Sequence, residues 1–345
     1  MRNLLQHPGF RGVCQGNGDR PHDFFRHKVR LCGRAYHDPM KPRVVSLLAS
    51  ATEIVCALGQ EDCLVGRSHE CDFPESIRAL PLCTEARIDA SLSSAAIDAQ
   101  VKDALRASLS LYHVHGNILQ NLRPDLLITQ IQCDVCAVTP KDVEEAFRGW
   151  TGRRPSLVSL NPNSLAEIWE GVREVAVALG VPERGDELVN DLSRRMKVVS
   201  ERANGWGRRP SVACIEWIEP VMAAGNWMPE LVELAGGVNL FGTAGKHSPW
   251  MTFEDLYRAD PDIIIVLPCG FDTERTRQEM PSLTKRPEWP RLRAVQNGRV
   301  HVADGNAYFN RPGPRLVEAL EMLAEAIQPA AFAFGHDGLA PYWSA

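Results

Sequence analysis

Leu122-Arg-Pro-Asp-Leu-Leu-Ile-Thr129 and Ala259-Asp-Pro-Asp-Ile-Ile-Ile-Val266 stand 137 residues apart and read alike. Each places a helix end, a Pro-Asp step and an apolar run in the same order. Proline cannot continue a helix, and an aliphatic, β-branched run after it favours a strand. Both runs are apolar throughout rather than alternating. That is the pattern of a strand covered on both faces, as in a parallel sheet with helices above and below.

Working outward from the first run, Arg43–Leu48 predicts a strand. Ser50-Ala-Thr-Glu53 after it predicts a capping box that opens a helix through Leu58. Leu64-Val-Gly66 and Ser156–Leu160 predict further strands, with helices at Ile97–Leu109, Ile118–Leu122 and Pro140–Trp150. Around the second run, Pro210–Ile215 and Arg299–Ala303 predict strands, and Pro229–Ala235, Phe253–Arg258 and Arg315–Ile327 helices. Between the two regions, Ser164–Leu179 and Asp186–Ala203 read as helices with almost no strand signal. In the second, Leu188, Leu192, Met196 and Val199 form a stripe at helical spacing. The expected organisation is α/β, with two similar, Rossmann-like lobes joined by a long helix. The boundaries are an extension at 1–40, an N-terminal lobe at 41–160, a helical connector at 161–207, a C-terminal lobe at 208–330 and a tail at 331–345.

Composition narrows the function classes. The 345 residues are 44% hydrophobic and 23% charged, with a net charge of −5, as expected of a folded globular chain. No global basic field points to nucleic acid or anionic lipid, and no apolar run approaches the ~20 residues of a membrane helix. Residues 1–40 hold no apolar stretch of the roughly 7–15 residues a secretory signal needs. With ten cysteines and no export signal, the expectation is a cytoplasmic protein with reduced thiols. No G-x-G-x-x-G, P-loop, G-x-S-x-G or H-E-x-x-H is present, so no familiar enzyme class is indicated.

Ligands of open parallel sheets bind beyond the carboxyl ends of the strands. The residues there are rich in chemistry. Candidate ligand contacts are Ser50, Thr52, Ser68, His69, Glu70, Gln130, Glu216, Trp217, Trp250, Tyr308, Phe309 and Arg311. Trp217, Trp227, Trp250, Tyr308 and Phe309 read either as stacking surfaces for a large planar ligand or as core. Cys133 and Cys136 form a C-x-x-C; with Cys71 and Cys269 they could hold zinc or an iron–sulfur cluster, act as a redox pair, or simply line a pocket.

These segments resemble a family. Arg43-Val-Val-Ser-Leu-Leu-Ala-Ser-Ala-Thr-Glu53, Val65-Gly-Arg-Ser-His-Glu-Cys-Asp-Phe-Pro74, Arg123-Pro-Asp-Leu-Leu126, Glu233-Leu-Ala-Gly-Gly237 and Ser248-Pro-Trp250 are similar to the substrate-binding proteins of iron–siderophore and cobalamin importers, in their cobalamin-binding branch. The resemblance spans about residues 42–328. It implies the class III substrate-binding fold, with ligand held between the lobes and Asp186–Ala203 as the joining helix. The implied ligand is cobalamin or a related corrinoid, bound without catalysis. Members that serve importers carry one surface Glu on each lobe for transporter arginines. Aligning the two Pro-Asp steps puts Glu254 at one position and Asn117 at the other, so docking on an ABC importer is expected to be incomplete. The alternatives are a metal- or cluster-dependent carrier or chelatase-like enzyme using the thiols, and an importer component proper.

Overall fold

The structure is a computed structural model and describes residues 41–107, 109–131, 138–148, 150–205 and 207–342. The reading of residues 1–40 lies outside these. The N-terminal lobe comprises β1 (Val44–Ser46), α1 (Ala49–Ala57), β2 (Leu64–Arg67), β3 (Thr84–Ala86), α2 (Ser94–Arg106), β4 (Tyr112–Val114), α3 (Gly116–Leu122), β5 (Leu126–Gln130), α4 (Pro140–Ala146) and β6 (Ser156–Leu160). Two helices follow, α5 (Leu165–Ala178) and α6 (Pro182–Asn204). The C-terminal lobe contains β7 (Ser211–Trp217), β8 (Met222–Ala223), α7 (Met228–Leu234), β9 (Val238–Asn239), α8 (Phe253–Ala259), β10 (Ile263–Val266), α9 (Thr273–Glu279), α10 (Pro281–Thr284), α11 (Arg293–Gln296), β11 (Val300–Ala303), α12 (Leu316–Ile327) and β12 (Leu339–Pro341).

Each lobe is built on its own sheet. The first has strand order β2-β1-β5-β6, all parallel. In the second, β7, β10 and β11 are parallel, with antiparallel β12 and β8 at the ends. The continuous apolar runs are sandwiched as their composition requires. Alternate residues of β1 and β5 feed opposite cores: Val44, Leu126 and Ile128 face the core shared with α5 and α6, while Val45 and Leu127 face the other. In the second lobe Ile263 and Ile265 join that shared core, and Ile264 and Val266 a separate one. A strand's period of two makes this division.

The two Pro-Asp steps fold the same way. Both preceding helices end on a left-handed residue, Arg123 (φ 46°) and Asp260 (φ 43°). That residue's amide bonds back to Leu119 and Leu256, at 3.0 and 3.1 Å. The aspartate then caps the neighbouring strand. Asp125 accepts from the Arg43 amide and Asp262 from the Ser211 amide, each at 2.9 Å. The repeat visible in sequence is therefore a repeated way of tying a helix end to the start of two adjacent strands.

Helix α6 carries the connection. Pro182 opens it, where its missing N–H costs nothing. Val189, Leu192, Met196, Val199 and Ala203 are buried along it at spacings of three and four, each large side chain contributing roughly 1.5–3 kcal/mol. It packs on α5, α7 and α12, so one core runs from β1 to β10.

One local expectation is corrected. Ser50 and Glu53 do not form a capping box; α1 begins at Ala49, its N-cap is Leu48, and no side chain caps it. The Ser-x-x-Glu spacing is present, but Glu53 is drawn to arginines of the other lobe.

Candidate functional site

The ends of β1 and β5 face the loops after β7, β8, β10 and β11 across a cleft between the lobes. From the first lobe it is lined by Ser50, Glu70 and Gln130, and from the second by Glu216, Asn226, Trp227, His247, Cys269, Asn306, Asn310 and Arg311.

An ion-pair cluster borders this cleft through Arg311. Arg311 is only 5% exposed and donates through Nη1 to Glu53 Oε1 at 2.9 Å and Asp72 Oδ1 at 2.6 Å. Glu53 is 3% exposed, and Arg315 lies 3.5 Å from the same Oε1. The Arg315 guanidinium sits over the rings of Phe73 and Tyr308, 4.2 and 4.0 Å from their centroids. Burial pushes the Glu53 carboxyl up, against the opposing pull of Arg311. The Arg311 charge is thus already met by carboxylates.

Glu70 is the acid of the cleft itself. Burial raises its pKa to about 7, outweighing Arg311 and a hydrogen bond from Tyr112, which favour the carboxylate. Glu216 accepts from Ser248 Oγ at 2.8 Å. Ser50, in the first turn of α1, is 1% exposed and its Oγ has no hydrogen-bond partner. Asn226 adopts φ 51°, with a buried Oδ1 likewise unpartnered. Its neighbour Gly225 is required by close packing: a Cβ there would lie 2.6 Å from Lys246 O and Ser248 N. His247 Nδ1 lies 3.0 Å from the Ser248 carbonyl. A carbonyl only accepts, so Nδ1 carries the proton and the neutral ring's lone pair is on Nε2.

The other candidates are placed as follows. Thr52 is buried behind the cleft, its hydroxyl 3.0 Å from Cys71 Sγ. Ser68 Oγ accepts from the Glu70 amide at 3.0 Å and so shapes the loop. His69 is half-buried, with Nδ1 2.8 Å from Thr84 Oγ1, and burial lowers its pKa. Trp217 packs on Phe271, ring centroids 5.4 Å apart. Tyr308 lies beneath Arg315. Phe309 is wholly buried in the shared core, so its ring is not presented to a ligand. Trp250 is 57% exposed, outside the cleft, with Lys102 Nζ 5.6 Å from its ring centroid.

The thiols are not gathered as expected. Cys71 is buried among Thr52, Ser68 and the Ser46 carbonyl, and burial pushes its thiol up. That favours a protonated thiol over a metal-binding thiolate. Cys269 lines the cleft. Cys133 and Cys136 lie outside the described residues. Among the described residues no cysteine shares a metal-sized cluster with two other ligating groups. Asn226, Asn306, Asn310 and His247 were not among the candidates, whereas Trp227, read as either a stacking surface or core, lines the cleft. His247 directly precedes Ser248-Pro-Trp250, and Asn306 and Asn310 lie in the polar segment after β11, so their neighbourhoods carried a signal.

Residues 44–307 match the model of the family described as periplasmic binding protein. The chain belongs to this family. Over 298 residues it is 24% identical to an uncharacterized ABC transporter substrate-binding lipoprotein, YvrC, of Bacillus subtilis, covering 84% of this chain and 81% of that one. It is also 24% identical over 296 residues to the vitamin B12-binding protein of Vibrio cholerae, covering 84% of this chain and 90% of the relative. Among solved structures, a periplasmic heme binding protein from Pseudomonas aeruginosa superposes with a TM-score of 0.66 at 22% identity, over 88% of this chain and 99% of its own. The fold is that of a two-lobed ligand-binding protein, and the family is one of non-catalytic binders.

The cytoplasmic expectation is corrected by these findings. The family is periplasmic, and its matched relatives include a substrate-binding lipoprotein. They point to a place outside the cytoplasm. The expectation rested on residues 1–40 and on the number of thiols, neither of which bears on the family of the folded region.

Proposed function

We propose that the chain binds a corrinoid of the cobalamin type in the cleft between its lobes, as an extracytoplasmic binding protein. The observation that carries this reading is the chemistry of the lining. Gln130, Asn226, Asn306 and Asn310 offer amides, Glu70 and Glu216 offer carboxyls, and Arg311 is committed to Glu53 and Asp72. A corrin ring has apolar faces and a rim of neutral amides, which pair with such groups in both directions. Heme carries two carboxylates, which would meet Glu70 and Glu216 without an uncommitted arginine or lysine among the described residues of the cleft. Trp227, 4% exposed and fixed by its Nε1 bond to the Phe309 carbonyl at 2.9 Å, supplies an apolar wall. The Nε2 lone pair of His247 suits a ligand with a metal at its centre.

Titration with cyanocobalamin, following tryptophan fluorescence and the visible bands of the ligand, tests this. Saturable binding at one site with Kd of about 1 μM or tighter is expected, corresponding to roughly −8 kcal/mol. Folded protein that leaves both signals unchanged at roughly tenfold higher concentration contradicts the reading.

Within this reading the ligand passes to an ABC importer. Glu254 is exposed in the first turn of α8 and pairs with Arg258 of its own helix at 3.3 Å. Asn117 holds the matching second position of α3. An amide cannot make the charge-assisted bidentate contact that a carboxylate makes with arginine, so docking rests mainly on the C-terminal lobe.

A further inference from the structure

We infer that the ribbon formed by β3 and β4 carries a second binding site, for a divalent first-row metal ion, made by Glu85, His113 and His115. One ligand atom from each of these residues lies within 4.8 Å of the other two. The sequence places them so. His113 is the exposed middle residue of β4, between the buried Tyr112 and Val114, and His115, just past the strand, is the N-cap of α3. Glu85 is directly opposite His113 in the antiparallel register. Their imidazole rings are 5.1 Å apart, edge to face.

The backbone beneath is fixed. The His115 amide donates to the Cys83 carbonyl at 2.9 Å, and its own carbonyl accepts from Ile118 and Leu119 at the start of α3. A tetrahedral ion with ligands at about 2.1 Å draws its donor atoms to roughly 3.4 Å from one another. From 4.8 Å this asks for about an ångström of side-chain movement, with Glu85 and His113 exposed and able to turn. Two imidazoles and one carboxylate are borderline donors that suit Zn²⁺, Ni²⁺ or Cu²⁺ rather than Mg²⁺ or Ca²⁺. Three protein ligands leave at least one position for water or another group.

Arg87 competes with the ion. Its Nη2 lies 3.3 Å from His113 Nδ1, and arginine can only donate, so Nδ1 accepts. An ion that takes Nδ1 displaces Arg87. An ion that takes Nε2 moves the ring proton to Nδ1 and breaks the same bond. Removing Arg87 therefore favours the ion in either case, which a merely structural role for the histidines would not predict.

Calorimetric titration of the full, tag-free chain with Zn²⁺ near neutral pH provides the test. One site of about 10 μM or tighter is expected, weakened roughly 10-fold or more in His113→Ala and in His115→Ala. Arg87→Ala should tighten it severalfold, and a Cys133→Ser, Cys136→Ser double variant should leave it unchanged. Unaltered unfolding midpoints would show that the variants fold. Parent binding weaker than about 100 μM, or binding that survives both histidine substitutions, overturns the inference, as does loss in the cysteine variant alone.

Discussion

Replacing Arg311 with alanine is expected to cost about 3–5 kcal/mol of folding stability, the usual loss when one partner of a buried ion pair is removed. Glu53 is almost wholly enclosed, and without Arg311 its nearest cation is Arg315, at 3.5 Å. Its second oxygen already has no hydrogen-bond partner. The carboxyl must then take up a proton or remain a poorly compensated buried charge. A Glu53→Gln, Arg311→Met double variant removes both charges and should lose much less, because no buried ion is left alone. Urea unfolding followed by tryptophan fluorescence at neutral pH measures all of these. An Arg311→Ala midpoint equivalent to less than about 1 kcal/mol below the parent would show that Glu53 does not depend on Arg311.

The second large effect concerns Glu70 and pH. Its pKa in the folded chain is about 7, against 4.5 as the ordinary value, because burial disfavours the charge. The folded state therefore binds the proton more tightly than the unfolded one. The stability this contributes is fully present below about pH 4.5 and is lost as pH rises through about 7. A shift of this size corresponds to roughly 1–3 kcal/mol for a group that is only partly enclosed. Glu70→Gln should remove that slope and be more stable than the parent near pH 8. Unfolding curves of both proteins between pH 5 and pH 8, taken as about the span of the titration, check this. Parallel pH profiles for parent and variant would rule out Glu70 as the titrating group.

The fold was legible because two short motifs solve the same local problem. Leu-Arg-Pro-Asp and Ala-Asp-Pro-Asp each end a helix, turn through a left-handed residue and cap a strand, and all of that chemistry is contiguous. The same holds for the stripe along α6. What misled was chemistry that reaches across the chain. Ser50-Ala-Thr-Glu53 has the spacing of a capping box, yet Glu53 pairs with a residue 258 positions away. No local pattern distinguishes the two uses of a glutamate.

The site was legible as a region more than as side chains. Strand ends brought Ser50, Glu70, Gln130, Glu216, Cys269 and Arg311 to the cleft. Residue type alone did not tell Phe309, turned into the core, from Trp227, which lines the cleft. The irregular turn over Gly305–Phe309 turns Phe309 inward, stabilised by Asp304 Oδ1 accepting from the Ala307 amide at 2.7 Å, while Trp227 comes from the start of α7. Asn226 owes its position to a left-handed backbone beside Gly225, and spacing gives no sign of that.

Competition between two tetrapyrrole-type ligands decides whether the cleft is built for a neutral, amide-rimmed ligand. Cyanocobalamin and hemin would be titrated against the same folded protein at pH 7.5, each alone and each against the other, reading the separate visible bands of the two ligands. Mutually exclusive binding is expected, with the corrinoid at least about tenfold tighter, a difference of roughly 1.4 kcal/mol. Stoichiometric hemin binding tighter than that of the corrinoid would contradict it.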